Sequence, residues 1–108
     1  MDKAQLPVAN LKPAILSAAN LEGAKLPGAM LEGARLPMAN LRQADLTRAE
    51  AARAHVWKAV LYEANLTGAS LSGAELAEAD VRRAQLPLAN LTEARLESSR
   101  FVSADMNQ

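Results

Sequence analysis

An apolar residue falls at every fifth position of this chain, from Leu6 to Met106, without a slip of phase. Of the 21 positions in that register, 16 are Leu and the others are Ala51, Val56, Val81, Phe101 and Met106. Two residues ahead of each stands Ala, from Ala4 to Ala104, with Ser99 the sole exception. An α-helix turns about 100° per residue, so leucines five apart would precess around it and share no face. A strand has period two and would send them to alternate faces. All of them can be buried together only if the chain turns by a fixed amount every five residues and points each leucine at a common axis. The pattern therefore predicts a solenoid, in which each coil buries its apolar edge on its neighbours.

Turn chemistry keeps the same phase. All five glycines (Gly23, Gly28, Gly33, Gly68, Gly73) stand two residues after the central apolar residue, and Pro7, Pro27, Pro37 and Pro87 stand one residue after it. Leu26-Pro27-Gly28-Ala29 places Pro second and Gly third, the signature of a type II turn, where Pro presets φ and Gly supplies a positive φ. Each unit thus reads as a short extended step followed by a tight turn.

Units such as Ala19-Asn20-Leu21-Glu22-Gly23, Ala44-Asp45-Leu46-Thr47-Arg48 and Ala64-Asn65-Leu66-Thr67-Gly68 resemble the pentapeptide-repeat family, whose consensus is Ala-(Asp/Asn)-Leu-X-X. The resemblance covers essentially the full chain. It implies an all-β fold, a right-handed quadrilateral β-helix of four units, or twenty residues, per coil. The chain would then form roughly five coils at the strand spacing of about 4.8 Å, a rod on the order of 25 Å long. Residues 1–108 are expected to be a single domain.

One stretch departs from the consensus. Residues 47–64 (TRAEAARAHVWKAVLYEA) would read as a helix on propensity alone. Ala49, Ala54, Ala59 and Ala64 nevertheless hold the alanine register, and the leucine phase resumes at Leu61, so the coil is expected to continue. Ala51 and Val56 are small for inward sites. The core should thin there, with a bend or bulge at that point.

Composition adds exclusions. The only aromatics are Trp57, Tyr62 and Phe101, fewer than a globular core would use but enough for a narrow solenoid filled by Leu and Ala. With no Cys there is no disulfide framework and no thiolate chemistry. Neither a basic-then-apolar leader nor a long apolar run is present, so the expected location is the cytoplasm, with no membrane contact. Net charge is zero, from 12 basic and 12 acidic residues mixed along the chain. That argues against direct nucleic-acid binding, which needs a basic patch, and against a strong DNA mimic, which should be acidic.

Stacking residues twenty apart maps the outside. One face carries Pro7, Pro27, Thr47, Thr67 and Pro87, with Val8 and Leu88 beside them. A second carries Met30, Glu32, Ser70, Ser72 and Asn90. A third carries Ile15, Arg35, His55, Glu75 and Arg95, beside Ser17, Pro37, Trp57, Ala77 and Glu97. The fourth carries Glu22, Arg42, Tyr62, Arg82 and Val102, alongside Asn40, Val60 and Asp80. Two features stand out. The column Arg42-Tyr62-Arg82 sets an aromatic ring between two guanidiniums, a cation–π arrangement worth about 0.5–1 kcal/mol at an exposed site. Trp57 follows an inward position and so faces out, near Met38, Val60 and Tyr62. Such residue types are enriched at interface hot spots. Met38, Trp57, Val60, Tyr62, Arg42 and Arg82 are therefore the candidate partner-binding residues; the competing reading is that Trp57 covers the thin core.

No catalytic, cofactor or metal site is expected. His55, the only histidine, lacks companions at ligand spacing and should pair with Glu75 stacked on it. The serines have no His–Asp constellation, and every Gly is a turn Gly rather than part of a phosphate loop. Asn10, Asn20, Asn40, Asn65 and Asn90 should hydrogen-bond the local backbone.

A solenoid with uncapped ends exposes unpaired backbone. Phe101, the one bulky inward residue, and Val102 mark the C-terminal coil as a candidate homodimer end; continuation into a longer chain is the other way to cover it. Two functional classes follow. The first is a non-catalytic scaffold that offers rigid flat faces to an as yet unidentified protein. The alternative is a DNA mimic directed at DNA gyrase or topoisomerase, resembling the family's quinolone-resistance proteins. Against it stand the neutral charge and the absence of inserted loops; for it stands the duplex-like width of the rod.

Overall fold

The computed structural model describes residues 15–102, 104 and 105; Ala4, Leu6, Pro7, Val8, Asn10 and Met106 lie outside them. Parallel bridges join residues twenty apart from Ile15↔Arg35 through Gln85↔Asp105. That register makes a coil of four five-residue units, with overall dimensions of 27 × 20 × 19 Å. The extended step of each unit is a single bridging residue rather than a longer strand, because the turn occupies the rest of the unit.

Backbone accounting explains why the coil repeats so regularly. Take the unit around Leu41 as an example. The Leu41 N–H donates to Val60 O in the next coil at 2.7 Å, and the Gln43 N–H donates to Tyr62 O at 2.9 Å. The Ala44 N–H closes the turn on Leu41 O at 3.0 Å, and the Asn40 N–H donates to Ala19 O of the previous coil at 2.9 Å. One N–H remains, that of the residue just after the leucine. It has two recurring solutions. In several units the Asn or Asp before the leucine accepts it through Oδ1, as Asn20 does for Glu22, Asn40 for Arg42, Asp45 for Thr47, Asn65 for Thr67, Asp80 for Arg82 and Asn90 for Thr92. In others the residue is Pro27, Pro37 or Pro87 and has no N–H. The two devices never coincide: Lys25, Arg35 and Gln85 stand where an Asx cap would have nothing to bind. The local role expected for Asn20, Asn40, Asn65 and Asn90 is thus what the structure shows.

The third turn position has φ between 56° and 69° in every described unit, as the type II reading of Leu26–Ala29 requires. Glycine fills only some of these sites. Twelve others, Met38, Lys58, Glu63 and Arg83 among them, hold a left-handed backbone with a side chain. None of the twelve is β-branched, the class for which that region is most strained. Gly68 and Gly73 are tight, since a Cβ there would meet Arg48 Cγ at 3.1 Å and Arg53 Cγ at 3.2 Å.

Inward, Leu and Ala fill the tube. From Leu21 to Leu86 both apolar registers are buried throughout, and among the described residues no polar or charged side chain is buried. The segment 47–64 continues the coil: its bridges Asp45↔Asn65, Glu50↔Ser70, His55↔Glu75 and Val60↔Asp80 keep the register. No bulge interrupts the register at Ala51–Val56. Small inward residues cost volume instead, leaving an apolar axial cavity of about 30 Å³ lined by leucines of three coils with Ala49, Ala51, Ala54 and Val56. The ladder holds the backbone at fixed spacing, so the wall cannot collapse onto the gap.

Two outcomes are expected. Ala51→Leu, matching Leu31 and Leu71 above and below it, should raise stability in urea denaturation by about 1 kcal/mol through added burial and loss of the cavity. Asn65→Ala should cost about 1 kcal/mol by orphaning the Thr67 N–H, and adding Thr67→Pro in that background should recover most of it.

Candidate functional site

The twenty-residue register turns the outward residues into columns on four faces. They are named here for their most distinctive residues: tryptophan (units on Leu36, Val56, Leu76), tyrosine (Leu41, Leu61, Val81), proline (Leu26, Leu46, Leu66, Leu86) and serine (Leu31, Ala51, Leu71). Trp57 and Tyr62 hold the same position in consecutive units, so they lie on adjoining faces of one coil.

On the tyrosine face the Arg42-Tyr62-Arg82 column forms as expected. The Arg42 guanidinium lies 4.7 Å from the ring centroid and that of Arg82 lies 5.5 Å from it. A third arginine joins them. Arg83 sits 5.8 Å from the same centroid and donates from Nη1 to the Tyr62 hydroxyl at 3.0 Å. Arg83 escaped the column map because it follows Tyr62 by 21 residues, one place off the vertical. Lys58, with its ammonium 5.9 Å from the Trp57 ring, escaped it as well. Arg82 is tied to Asp80 through a two-point fork, Nε to Oδ1 at 2.8 Å and Nη2 to Oδ2 at 2.7 Å. The hydrogen bonds from Arg82 hold the Asp80 carboxyl below its usual range, against the opposing effect of burial. Val60 is half-buried in the neighbouring column between Asn40 and Asp80.

On the tryptophan face Trp57 is half-exposed. Its indole does not line the axial cavity. Above it the small Ala77 opens a shallow groove of about 270 Å³, lined by Trp57, Glu75, Ala77, Glu78 and Arg95. Met38 is exposed one coil below, its N–H bonded to Trp57 O at 2.9 Å. His55 Nδ1 lies 3.1 Å from Glu75 Oε2, the pairing the stacking predicts. Phe101 points inward and is half-buried, while Val102 is exposed beyond Arg82. Among the described residues no group of His, Cys, Asp and Glu is placed to hold a metal ion, and no helix is long and apolar enough to cross a membrane.

Similar proteins give this geometry a context. The sequence profile described as Pentapeptide repeats matches residues 14–50, 39–76 and 69–108, in eight copies. No curated protein matches the chain. Among solved structures, HetL of the cyanobacterium Nostoc sp. strain PCC 7120, a pentapeptide repeat protein involved in heterocyst differentiation regulation, is 30% identical with a TM-score of 0.84. That match covers 90% of this chain and 41% of HetL. A pentapeptide repeat protein of the Arabidopsis thaliana thylakoid lumen is 23% identical with a TM-score of 0.74, over 95% of this chain and 65% of that one; at this identity the likeness speaks for the fold alone. Rfr23 of the cyanobacterium Cyanothece 51142 is 29% identical with a TM-score of 0.62, over 95% and 84% of the two chains. The chain therefore spans less than two thirds of the length of HetL and of the thylakoid protein.

The Asp80–Arg82 fork carries a pH signature. Because the folded carboxyl titrates below its ordinary value of 3.8, its stabilising contribution is complete above that value and fades as the pH falls through the lowered one. Acid titration of the melting temperature should show wild type ahead of Asp80→Asn near neutrality and the gap narrowing below about pH 4.

Proposed function

The chain belongs to the pentapeptide-repeat family, and from that premise we propose that it is a non-catalytic, right-handed quadrilateral scaffold of the cytoplasm that presents its outer faces to a protein partner. The contact surface in this reading is the corner between the tryptophan and tyrosine faces, made by Met38, Trp57, Val60, Tyr62, Arg42 and Arg82. The observation that carries it is the placement of Trp57 and Tyr62 at equivalent sites of consecutive units, half-exposed on a backbone pinned above and below. Aromatic rings held rigidly cost little entropy on binding, and Trp, Tyr and Arg dominate interface energetics. The Met38 side chain extends the apolar part of this surface by one coil. A DNA-mimic role asks for acidic columns; the columns here interleave signs, as in Arg35, His55, Glu75 and Arg95.

Affinity capture from the native lysate tests the reading. Trp57→Ala should weaken capture of the partner while the melting temperature stays nearly unchanged. A large drop in melting temperature with undiminished capture makes Trp57 a structural residue and removes the interface.

A further inference from the structure

Two units of the tyrosine face, one coil to either side of Tyr62, differ in a telling way. Residues 39–43 read Ala-Asn-Leu-Arg-Gln and residues 79–83 read Ala-Asp-Val-Arg-Arg. Both Asn40 and Asp80 cap the following turn, accepting the N–H of Arg42 at 3.1 Å and of Arg82 at 3.2 Å. Asp80 also fills the guanidinium fork of Arg82 with both carboxylate oxygens. Asn40 offers Arg42 no such charge. Its amide nitrogen is turned away, toward Asn20 Oδ1 at 3.3 Å and Glu22 Oε2 at 3.4 Å. Among the described residues no carboxylate lies within ion-pair distance of Arg42, and its side chain is exposed. The guanidinium instead sits over the Tyr62 ring, 4.7 Å from its centroid. Among the described residues no hydrogen bond is donated by the Arg42 side chain, so its N–H fork is available to a planar acceptor.

We propose that Arg42, braced against Tyr62, is the docking point for an aspartate or glutamate carboxylate of the protein partner, held as Arg82 holds Asp80 within the chain. The inference rests on the reading of the chain as a protein-binding module and names the chemistry that module recognises. Val60, beside Tyr62, gives the partner's side-chain methylenes an apolar surface to lie on. A nucleic-acid backbone is the poorer fit. It requires cations that follow successive phosphates, and on this face Glu22, Glu63 and Asp80 interrupt any such track.

The test titrates a capped oligo-aspartate peptide into the full chain at low salt, followed by calorimetry and by the Arg42 Nε–Hε resonance. Saturable binding is expected, weakened about tenfold by Arg42→Ala, as loss of a charge-assisted fork implies. Asn40→Asp should weaken it as much, because it supplies the carboxylate from within the chain while keeping the turn cap. Asp80→Asn should strengthen binding by releasing the fork of Arg82. Arg48→Ala, on the proline face, should change nothing, and thermal melts verify that each variant is folded. Affinity unchanged in both Arg42→Ala and Asn40→Asp overturns the proposal, as does duplex DNA binding as tightly as the peptide. If a partner captured from the lysate holds wild type and Asn40→Asp equally well, the carboxylate assignment falls while the protein-binding reading stands.

Discussion

Backbone hydrogen bonds between residues about twenty apart hold this molecule in register, and nearly every other feature depends on them. In units that lie between two described coils, two N–H groups donate onward to the following coil, one back to the preceding coil and one across its own turn. A backbone tied on both sides cannot relax locally. Between two coils this lets residues such as Met38, Gln43, Lys58, Glu63 and Glu78 hold a left-handed φ, which in a free turn would cost each about 1–2 kcal/mol. It is also why the small residues at Ala51 and Val56 leave a cavity along the axis instead of a dent in the wall.

The same constraint organises the surface. Because each unit sends three residues outward at fixed positions, the outside is a grid in which a side chain's neighbours are known once the register is known. Grid geometry makes chemistry local. His55 meets Glu75 because they are one coil apart, and Tyr62 gathers arginines from the coils on both sides. It also lets one unit serve as an internal reference for another. The units around Arg42 and Arg82 share a face, a turn cap and a tyrosine, so the Asn-for-Asp difference between them stands out as a difference in charge and not in fold.

The alternation between Asx caps and prolines shows how closely sequence and backbone are matched. One N–H per unit falls outside the ladder. Six described units accept it with Asn or Asp and three delete it with Pro, and no described unit spends both devices on one group. The family consensus Ala-(Asp/Asn)-Leu-X-X thus has a physical reading: Ala and Leu fill the tube, Asp or Asn closes the one open donor, and the last two positions are left to vary on the outside.

Most of the architecture was legible in the one-dimensional pattern. A period of five fits neither helix nor strand, so the inward registers, the turn type at Leu26–Ala29 and the continuation of the coil through residues 47–64 followed from the phase of Leu and Ala against a contrary helix propensity. The grouping of Arg42, Tyr62 and Arg82 followed too, once twenty residues per coil was taken from the family resemblance. Three things needed the tertiary structure. The unbroken register through Ala51 and Val56 depends on ladder bonds to both neighbouring coils, which no local propensity encodes. The recruitment of Arg83 and Lys58 depends on the reach of long side chains across one grid position, which strict vertical stacking overlooks. The contrast between a filled fork at Arg82 and an open one at Arg42 starts from Asp80 against Asn40, but only the structure shows that the Asp80 carboxylate turns onto Arg82 with both oxygens. Periodicity determines which residues face out, because it is a property of the backbone; which of them pair is decided only when flexible side chains compete for the same partners in three dimensions.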